Sequence, residues 1–413
     1  MQPYNEMQVW DGSNGSKIRF DWSAEAEKYN SPLRTVATMT ENANLSRGLL
    51  ARVLEAEERE SRDENDGGGS LMFNSTVSSI ENGEDDPGGL NLSSWPVVSV
   101  SSSEREVPLS IAARLLVGAD GVNSPVRTYA GISSKGWDYN RHGVVATLNL
   151  EPQQENHSDS FFTIDPPKIT AYQRFLPTLG GPIALLPFPD GKASLVWSTT
   201  PAHAAYLKSL SLEAFTTMVD AAFRLSMTDL SYLFTLPTSD APPANHSSPS
   251  MTTIYNHSQE LSWRLQHTTL PPHLPPLITS IQPGSIASFP LRFRQSSTYT
   301  CPRVVLIGDA AHTIHPLAGQ GLNLGLGDAR ALFQTIETAT LQGQDLGDAM
   351  MTLGEYNRQR WGKGVMVGGT CDLLQGVYGV EGGVVGWGRG IGMGVVDRLE
   401  GVKGWIMGQA EGR

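Results

Sequence analysis

Gly308, Asp309, His312, His315, Pro316, Gly319, Gln320 and Gly321 fall within one short stretch of the chain. Before them, Val304, Val305, Leu306 and Ile307 form a continuous apolar run, the pattern of a strand buried on both faces. After them, Leu322, Leu326, Ala329, Phe333 and Ile336 recur at helical spacing. A carboxylate at the carboxyl end of a buried strand can accept hydrogen bonds from sugar or polyol hydroxyls. Glycines where a helix begins let a ligand approach the backbone N–H groups, and those groups with the helix dipole favour negative charge. Phosphate suits such a place, and so does the N1/O2 edge of a reduced flavin. The two histidines do not argue for a metal. Two ligands are too few, and no Cys, Asp or Glu follows at ligand spacing.

A second stretch, Arg114 to Arg127, repeats the layout. Leu115, Leu116 and Val117 read as a buried strand, and Gly118-Ala119-Asp120-Gly121 as a turn. Ser124 is a good N-cap and Pro125 suits the first helical position, so a second helix N-terminus is expected to point into the same crevice. Arg127 adds positive charge nearby.

The segment GDAAHTIHPLAGQGLNLGLGD (Gly308 to Asp328) closely resembles the second flavin motif of the aromatic-ring flavoprotein monooxygenases, and within them the ubiquinone-biosynthesis hydroxylases. The Asp120 stretch resembles the internal Asp-Gly motif of the same family. QRFLPTLGGPIALLPFPDGKASLVWS (Gln173 to Ser198) extends the likeness across the substrate sheet. The resemblance implies an α/β fold: a partial, Rossmann-like FAD-binding domain of the aromatic hydroxylase type with an inserted antiparallel substrate-binding sheet. It implies FAD as cofactor. Gly308 and Asp309 would hold the ribityl chain or ribose. Pro316, Gly319, Gln320, Gly321, Leu322 and Asn323 would line the isoalloxazine ring. Asp120, Gly121 and Arg127 would lie by the pyrophosphate. Glu41, Asn42 and Arg52, in a segment of similar character to one near the family's cofactor, are further candidates.

Composition narrows the classes. The chain has 413 residues, and its formal charge is −12, from 30 Lys and Arg against 42 Asp and Glu. No basic cluster offsets that balance, so nucleic acid is not an expected partner. Much of the acidity is local, at Glu55 to Asp66. Cys301 and Cys371 make neither a disulfide framework nor a CxxC motif, and a reducing compartment is expected. Sequons at Asn74 and Asn245 carry little weight without a signal peptide. No apolar run is long enough to span a membrane. There is no GxSxG, HExxH or metal cluster, and no catalytic side chain is assigned.

In order along the chain, Met7 to Trp10 and Lys17 to Phe20 read as strands about a turn, and Met39 to Leu54 as a helix. Residues 55–70 and 78–108 read as insertions or disordered loops, with strands at Val97–Val100 and Val107–Ile111. From Arg141 the period becomes alternation. Strands are expected at Val144–Leu148, Ser160–Ile164, Ala171–Leu176, Pro182–Pro187 and Ala193–Thr199, the last two about a hairpin turn at Pro189-Asp190-Gly191-Lys192. Ser211–Leu225 and Leu261–His267 read as helices, 235–251 as a loop, and Ile286–Leu291 leads back to the Asp309 strand. Helix is expected after Gln342 to about Trp361, then a glycine-rich tail. That tail leaves two readings open, a peripheral membrane contact and a packing tail. The expected division is a first FAD-domain part at 1–140, the substrate sheet at 141–290, the second FAD-domain part at 291–345, and C-terminal helices and tail at 346–413.

No GxGxxG occurs in the chain. The resemblance begins near Tyr4, downstream of the family's first strand–GxGxxG–helix unit, which binds the ADP pyrophosphate. An N-terminal truncation, with loss of any targeting peptide, is the expectation, and with it weak or no FAD binding by this chain alone.

The implied function is FAD-dependent hydroxylation of the aromatic ring of a polyprenyl-4-hydroxybenzoate at position five, in ubiquinone biosynthesis. Electrons would come through a ferredoxin-type donor and its reductase. The location would be the matrix side of the mitochondrial inner membrane, with a ubiquinone-synthesis complex as partner. Two alternatives stand beside it: a non-catalytic remnant or partner in such a complex, and an NAD(P)H-dependent, salicylate-hydroxylase-like enzyme.

Overall fold

The computed structural model describes residues 1–22, 35–60, 71–85, 88–103, 107–152, 169–238, 256–270, 274–315 and 319–379, with Gly392. The chain opens with β1 (Gln2–Tyr4), β2 (Glu6–Asp11), β3 (Lys17–Asp21), β4 (Ala37–Met39) and α1 (Asn42–Glu60). Then come β5 (Ser75–Asn82), β6 (Pro96–Ser102), β7 (Leu109–Ala112), β8 (Leu116–Gly118), α2 (Pro125–Tyr129) and β9 (Ser134–Leu150). The middle holds β10 (Thr170–Leu176), β11 (Gly181–Phe188), β12 (Lys192–Thr199), α3 (Pro201–Ser209), α4 (Leu212–Arg224), α5 (Met227–Leu233) and α6 (His257–Gln266). The last part is β13 (Ile278–Ile281), β14 (Ala287–Ser296), β15 (Thr300–Cys301), β16 (Val304–Leu306), β17 (His312–Thr313), α7 (Gln320–Leu341) and α8 (Leu353–Gly379).

A nine-stranded sheet runs β17-β14-β9-β12-β11-β10-β2-β3, with β13 also against β9. Its alternation is that of a half-buried sheet. On β12, Ala193, Leu195 and Trp197 are buried while Lys192, Ser194 and Val196 are less so. Across the strand pair, Val144, Ala146 and Leu148 of β9 point the same way. Against this face lies the apolar side of α4, with Phe215, Met218, Ala222 and Phe223, joined by Leu207 of α3 and Leu230 and Leu233 of α5. Each such large side chain, fully buried, contributes about 1.5–3 kcal/mol. The helices start where the sequence supplies caps: Thr200, Ser211 and Ser226 accept from the third N–H of α3, α4 and α5, and Asn256 and Gln259 form a capping box on α6. The β11–β12 hairpin turns where Asp190 and Gly191 take left-handed backbone, which both residues tolerate.

The nine-stranded sheet draws on more of the chain than 141–290. β2 pairs parallel with β10, the one parallel register in it, and β3 extends the edge. Periodicity marks a strand but not its neighbour, so this pairing was not readable locally. Residues 78–108, expected as insertion with strands at Val97–Val100 and Val107–Ile111, carry much of a three-stranded antiparallel sheet, β5-β6-β7, whose β6 and β7 meet those two expectations while β5 was not expected. Ser-rich β5 looked like loop because only one face needs apolar cover, and Pro96 and Val98 of β6 are the buried residues there. Residues 55–60 complete α1, and 61–70 lie outside the described residues. The expected strand Ser160–Ile164 and the glycine-rich run 383–394, Gly392 apart, lie outside them too.

Two further expectations are corrected at the C-terminal end. Residues 342–352 are turns, not helix. Asp348 accepts from the backbone N–H of Met350 and Met351 at 2.9 and 2.6 Å, a local bond that competes with helix. Helix α8 then continues past Trp361 to Gly379. Its glycines serve close approach: a Cβ at Gly364 would run into Tyr299 and one at Gly368 into the Phe293 ring, whereas at Gly369 it would meet nothing within 4 Å. Trp361 Nε1 donates to Ser296 O at 3.0 Å and Asn357 Oδ1 accepts from Tyr299 N at 2.9 Å, which strap α8 along β14.

These two neighbouring glycines give a matched test. Gly368→Ala is expected to lower the urea midpoint, at a cost of about 1–3 kcal/mol from overpacking. Gly369→Ala is expected to leave it unchanged or raise it by up to about 1 kcal/mol through helix propensity. Equal effects at both positions would show that α8 does not lie against Phe293.

Candidate functional site

β8 and β16 lie parallel, with Leu116 opposite Val304, Val117 opposite Val305 and Gly118 opposite Leu306. Ile307 N donates to Gly118 O at 2.9 Å. The loops carrying Asp120 and Asp309 therefore leave the same carboxyl edge of one strand pair, where ligands of open α/β sheets bind. β15 closes the other side of β16, and among the described residues β8 has no second strand partner. Beneath, Tyr356 Oη donates to Leu306 O at 2.8 Å. Burial holds the Tyr356 and Tyr299 hydroxyls far above their ordinary pKa, so both stay protonated, and Tyr299 Oη accepts from Gln295 Nε2 at 2.8 Å.

The Asp120 loop is built largely from its own bonds. Asp120 Oδ2 accepts from Val126 N at 3.0 Å, and Ser124 Oγ accepts from Arg127 N at 2.9 Å. Two first-turn donors of α2 are thus used within the protein, so this helix end offers a ligand less than its sequence implies. Arg127 joins the two loops: Nη1 donates to Ala310 O at 2.8 Å and Nη2 to Val122 O at 2.7 Å. Gly121 takes φ +84°, and a Cβ there would meet nothing within 4 Å.

The Asp309 loop is the more open one. Gly308, at φ +58°, begins a short 3₁₀ turn to Ala310. The Asp309 side chain is exposed and makes no hydrogen bond to another described residue. The N-cap of α7 is Gly319, left-handed at φ 61° and ψ 20°, with no side-chain cap and no acidic residue in the first turn. A Cβ at Gly319 or Gly321 would meet only open space. Unsatisfied N–H groups, a positive dipole end and free room above them suit an anion or an electron-rich ring edge. Gln320 is half-buried beside them, and Leu322 and Asn323 are exposed. Pro316 lies outside the described residues. The residues present fit a flavin: a free carboxylate for hydroxyls and a bare helix end for the ring.

A buried network, not anticipated from the sequence, lies behind this loop. Asp328 of α7 is fully buried; its Oδ2 accepts from Gly308 N at 3.0 Å and contacts His312 Nε2 at 2.6 Å. Its Oδ1 accepts from Arg360 Nε of α8 at 2.6 Å, and Arg360 Nη2 donates to Leu324 O at 2.9 Å. The signal was present: Leu324, Asp328 and Leu332 share one helical stripe, and a carboxylate on a buried stripe demands partners. His315 is also buried, edge-on to Tyr139 with ring centroids 5.0 Å apart, and burial lowers its pKa to about 4. Among the described residues no group of three metal-ligating side chains occurs.

The remaining candidates sit elsewhere. Glu41 and Asn42 are exposed at the start of α1, and Arg52 is spent on Glu55, whose Oε2 lies 2.6 Å from its Nη1. A cavity of about 270 Å³ lies along the C-terminal half of α7, lined by Gln334, Thr338 and Gln359 among others, away from Gly319.

A family described as FAD binding domain matches residues 213–361. The chain is 34% identical over 408 residues to the mitochondrial ubiquinone biosynthesis monooxygenase COQ6 of Schizosaccharomyces pombe, covering 98% of this chain and 75% of that protein. The COQ6 protein of Xenopus tropicalis is 33% identical over 414 residues, covering 98% and 76%. Among solved structures, p-nitrophenol 4-monooxygenase PnpA from Pseudomonas putida shares the fold, with a TM-score of 0.60 at 16% identity, covering 99% of this chain and 80% of that one.

His315 sets a pH dependence. Its folded pKa of about 4 lies below the ordinary 6.5, so the unfolded chain binds more protons between those values. Its contribution to stability is present above about pH 6.5 and lost as pH falls towards 4, by about 3 kcal/mol at about 1.4 kcal/mol per unit. Urea midpoints across that window are expected to fall with acid in the native chain and to fall less in His315→Gln. Equal slopes would place the histidine in water.

Proposed function

We propose a function from one premise: the chain belongs to the COQ6 family of ubiquinone-biosynthesis monooxygenases. It is an FAD-dependent monooxygenase of that pathway. The relatives do not favour the readings as a non-catalytic remnant or as a salicylate-hydroxylase-like enzyme. The substrate is a polyprenylated aromatic, in the finer reading a polyprenyl-4-hydroxybenzoate hydroxylated at ring position five. We further assign the electrons to a ferredoxin-type donor and the location to mitochondria, on the matrix side of the inner membrane and within a ubiquinone-synthesis complex. No described helix is long and apolar enough to cross a membrane.

The observation that carries the reading is the free Asp309 carboxylate at the end of β16, followed by the uncapped glycine N-terminus of α7. FAD, when bound, supplies an electrophilic oxygen from O₂ to an electron-rich phenol. The protein's part is to hold, orient and keep water out. Asp309, with Gly308 removing a side chain beside it, would accept from ribityl or ribose hydroxyls. The first-turn N–H groups of Gly319, Gln320 and Gly321, with Leu322 and Asn323 beside them, would face the electron-rich edge of the ring, with Pro316 in the same loop. The dipole of α7 would favour negative charge placed at that helix start. Gly121 and Arg127 would serve the pyrophosphate side, with Asp120 holding the start of α2.

Titration of the purified chain with FAD, followed by flavin fluorescence, tests the site. Asp309→Ala is expected to weaken binding about tenfold or more, the worth of a hydrogen bond to a charged group. Affinity equal to that of the native chain would move the ribityl site elsewhere. Product analysis with a polyprenylated 4-hydroxybenzoate should show one added oxygen at ring position five, with a ferredoxin and its reductase as donor. Turnover with NADPH alone would overturn the donor assignment.

A further inference from the structure

We propose that Asp328 and Arg360 are positioning residues of the flavin site, acting through the turn that presents Asp309. The inference rests on the reading that Asp309 and the start of α7 hold FAD. One oxygen, Asp328 Oδ2, meets both Gly308 N at 3.0 Å and His312 Nε2 at 2.6 Å. Those two residues bracket Asp309, so a single carboxylate closes the turn from both ends. The same carboxylate stands on α7, whose first turn carries Gly319 to Gly321. It therefore sets where Asp309 lies relative to the helix end expected to face the ring. Close packing reinforces the tie: a Cβ at Gly325 would lie 3.3 Å from Gly308 Cα, tighter than ordinary contact.

Arg360 holds the carboxylate in place. Its Nε donates to Asp328 Oδ1 at 2.6 Å and its Nη2 to Leu324 O at 2.9 Å, one turn back on the same helix. A Cβ at Gly327 would come within 2.9 Å of Nη2, so that glycine leaves the room in which the guanidinium lies. Asp328, His312 and Arg360 are all buried. An apolar trio could fill such a space, and buried ion pairs are often replaceable without loss of stability. What an apolar trio could not supply is an acceptor for the Gly308 N–H and a fixed direction for the turn. By this arrangement α8, far along the chain, becomes a support of the cofactor site.

The test uses the full chain as native protein, Asp328→Asn, Arg360→Met and the double variant D328N/R360M, with three readouts. These are the urea midpoint, FAD affinity, and hydrogen exchange of the segment 304–315. Asp328→Asn is expected to speed exchange of that segment and to weaken FAD binding, each about tenfold. The double variant removes the uncompensated buried charge and is expected to recover much of the urea midpoint while exchange and affinity stay impaired. Arg360→Lys, which keeps the charge but not the fork, should lie between native and Arg360→Met in both. Recovery of exchange protection and FAD affinity together with the midpoint in the double variant would overturn the proposal and leave the pair a role in stability alone. Failure of the native chain to bind FAD is the outcome expected of a chain with no GxGxxG unit and removes the affinity arm. The exchange arm would then decide the positioning role, with unchanged protection in Asp328→Asn overturning it.

Discussion

Three residue pairs carry the arrangement on which the rest of the site depends: Leu116–Gly118 laid parallel to Val304–Leu306. The two segments are far apart in the chain, with the whole run of strands from β9 to β14 between them. Parallel pairing makes both strands end on one edge, so Asp120 and Asp309 leave from the same side. Arg127 then ties the loops by giving one N–H to each. Without that register the two motifs would be unrelated loops.

The molecule divides its burial accordingly. The large apolar cluster between the nine-stranded sheet and α3 to α6 is packed from alternating strand residues and the inner side of α4. The smaller cluster around Val304, Val305, Leu306, Tyr299 and Tyr356 sits under the Asp120 and Asp309 loops and is laced with polar bonds. Stability from dispersion and burial is concentrated in the first. Orientation, which needs directional bonds to backbone groups, is concentrated in the second. Glycines serve both parts: Gly136 and Gly181 on the large sheet, and Gly325, Gly364 and Gly368 around α7 and α8, each stand where another chain segment comes too near for a side chain.

Local chemistry was legible because it is written in contiguous residues. The strand at Val304, the turn at Gly308-Asp309 and the helix from Gln320 each have a pattern that one short window contains. The hairpin at Asp190-Gly191 and the capped helix α4 were readable for the same reason. The Ser-rich strand β5 was misread, because a sheet with one wet face looks like loop in composition, whereas the Val97–Val100 run marked β6. The turns at 342–352 were misread because Asp345 and Asp348 bond the nearby backbone in place of a helical continuation. The extension of α8 was missed because glycine argues against helix until its packing partner is known.

By itself the sequence determined the kind of chemistry: a carboxylate, a bare helix end and the motif that places both in the ubiquinone-pathway monooxygenases. Those depend on bonds between near neighbours, and one dimension is enough to record them. Only the tertiary structure decided that β2 pairs with β10, that Asp120 and Arg127 are largely engaged within the protein, and that Asp328 reaches back to Gly308 while Arg360 reaches across from α8. A buried charge announces that it needs a partner, but many residues could serve. The choice among them is made by packing, which acts between parts of the chain that no local pattern relates.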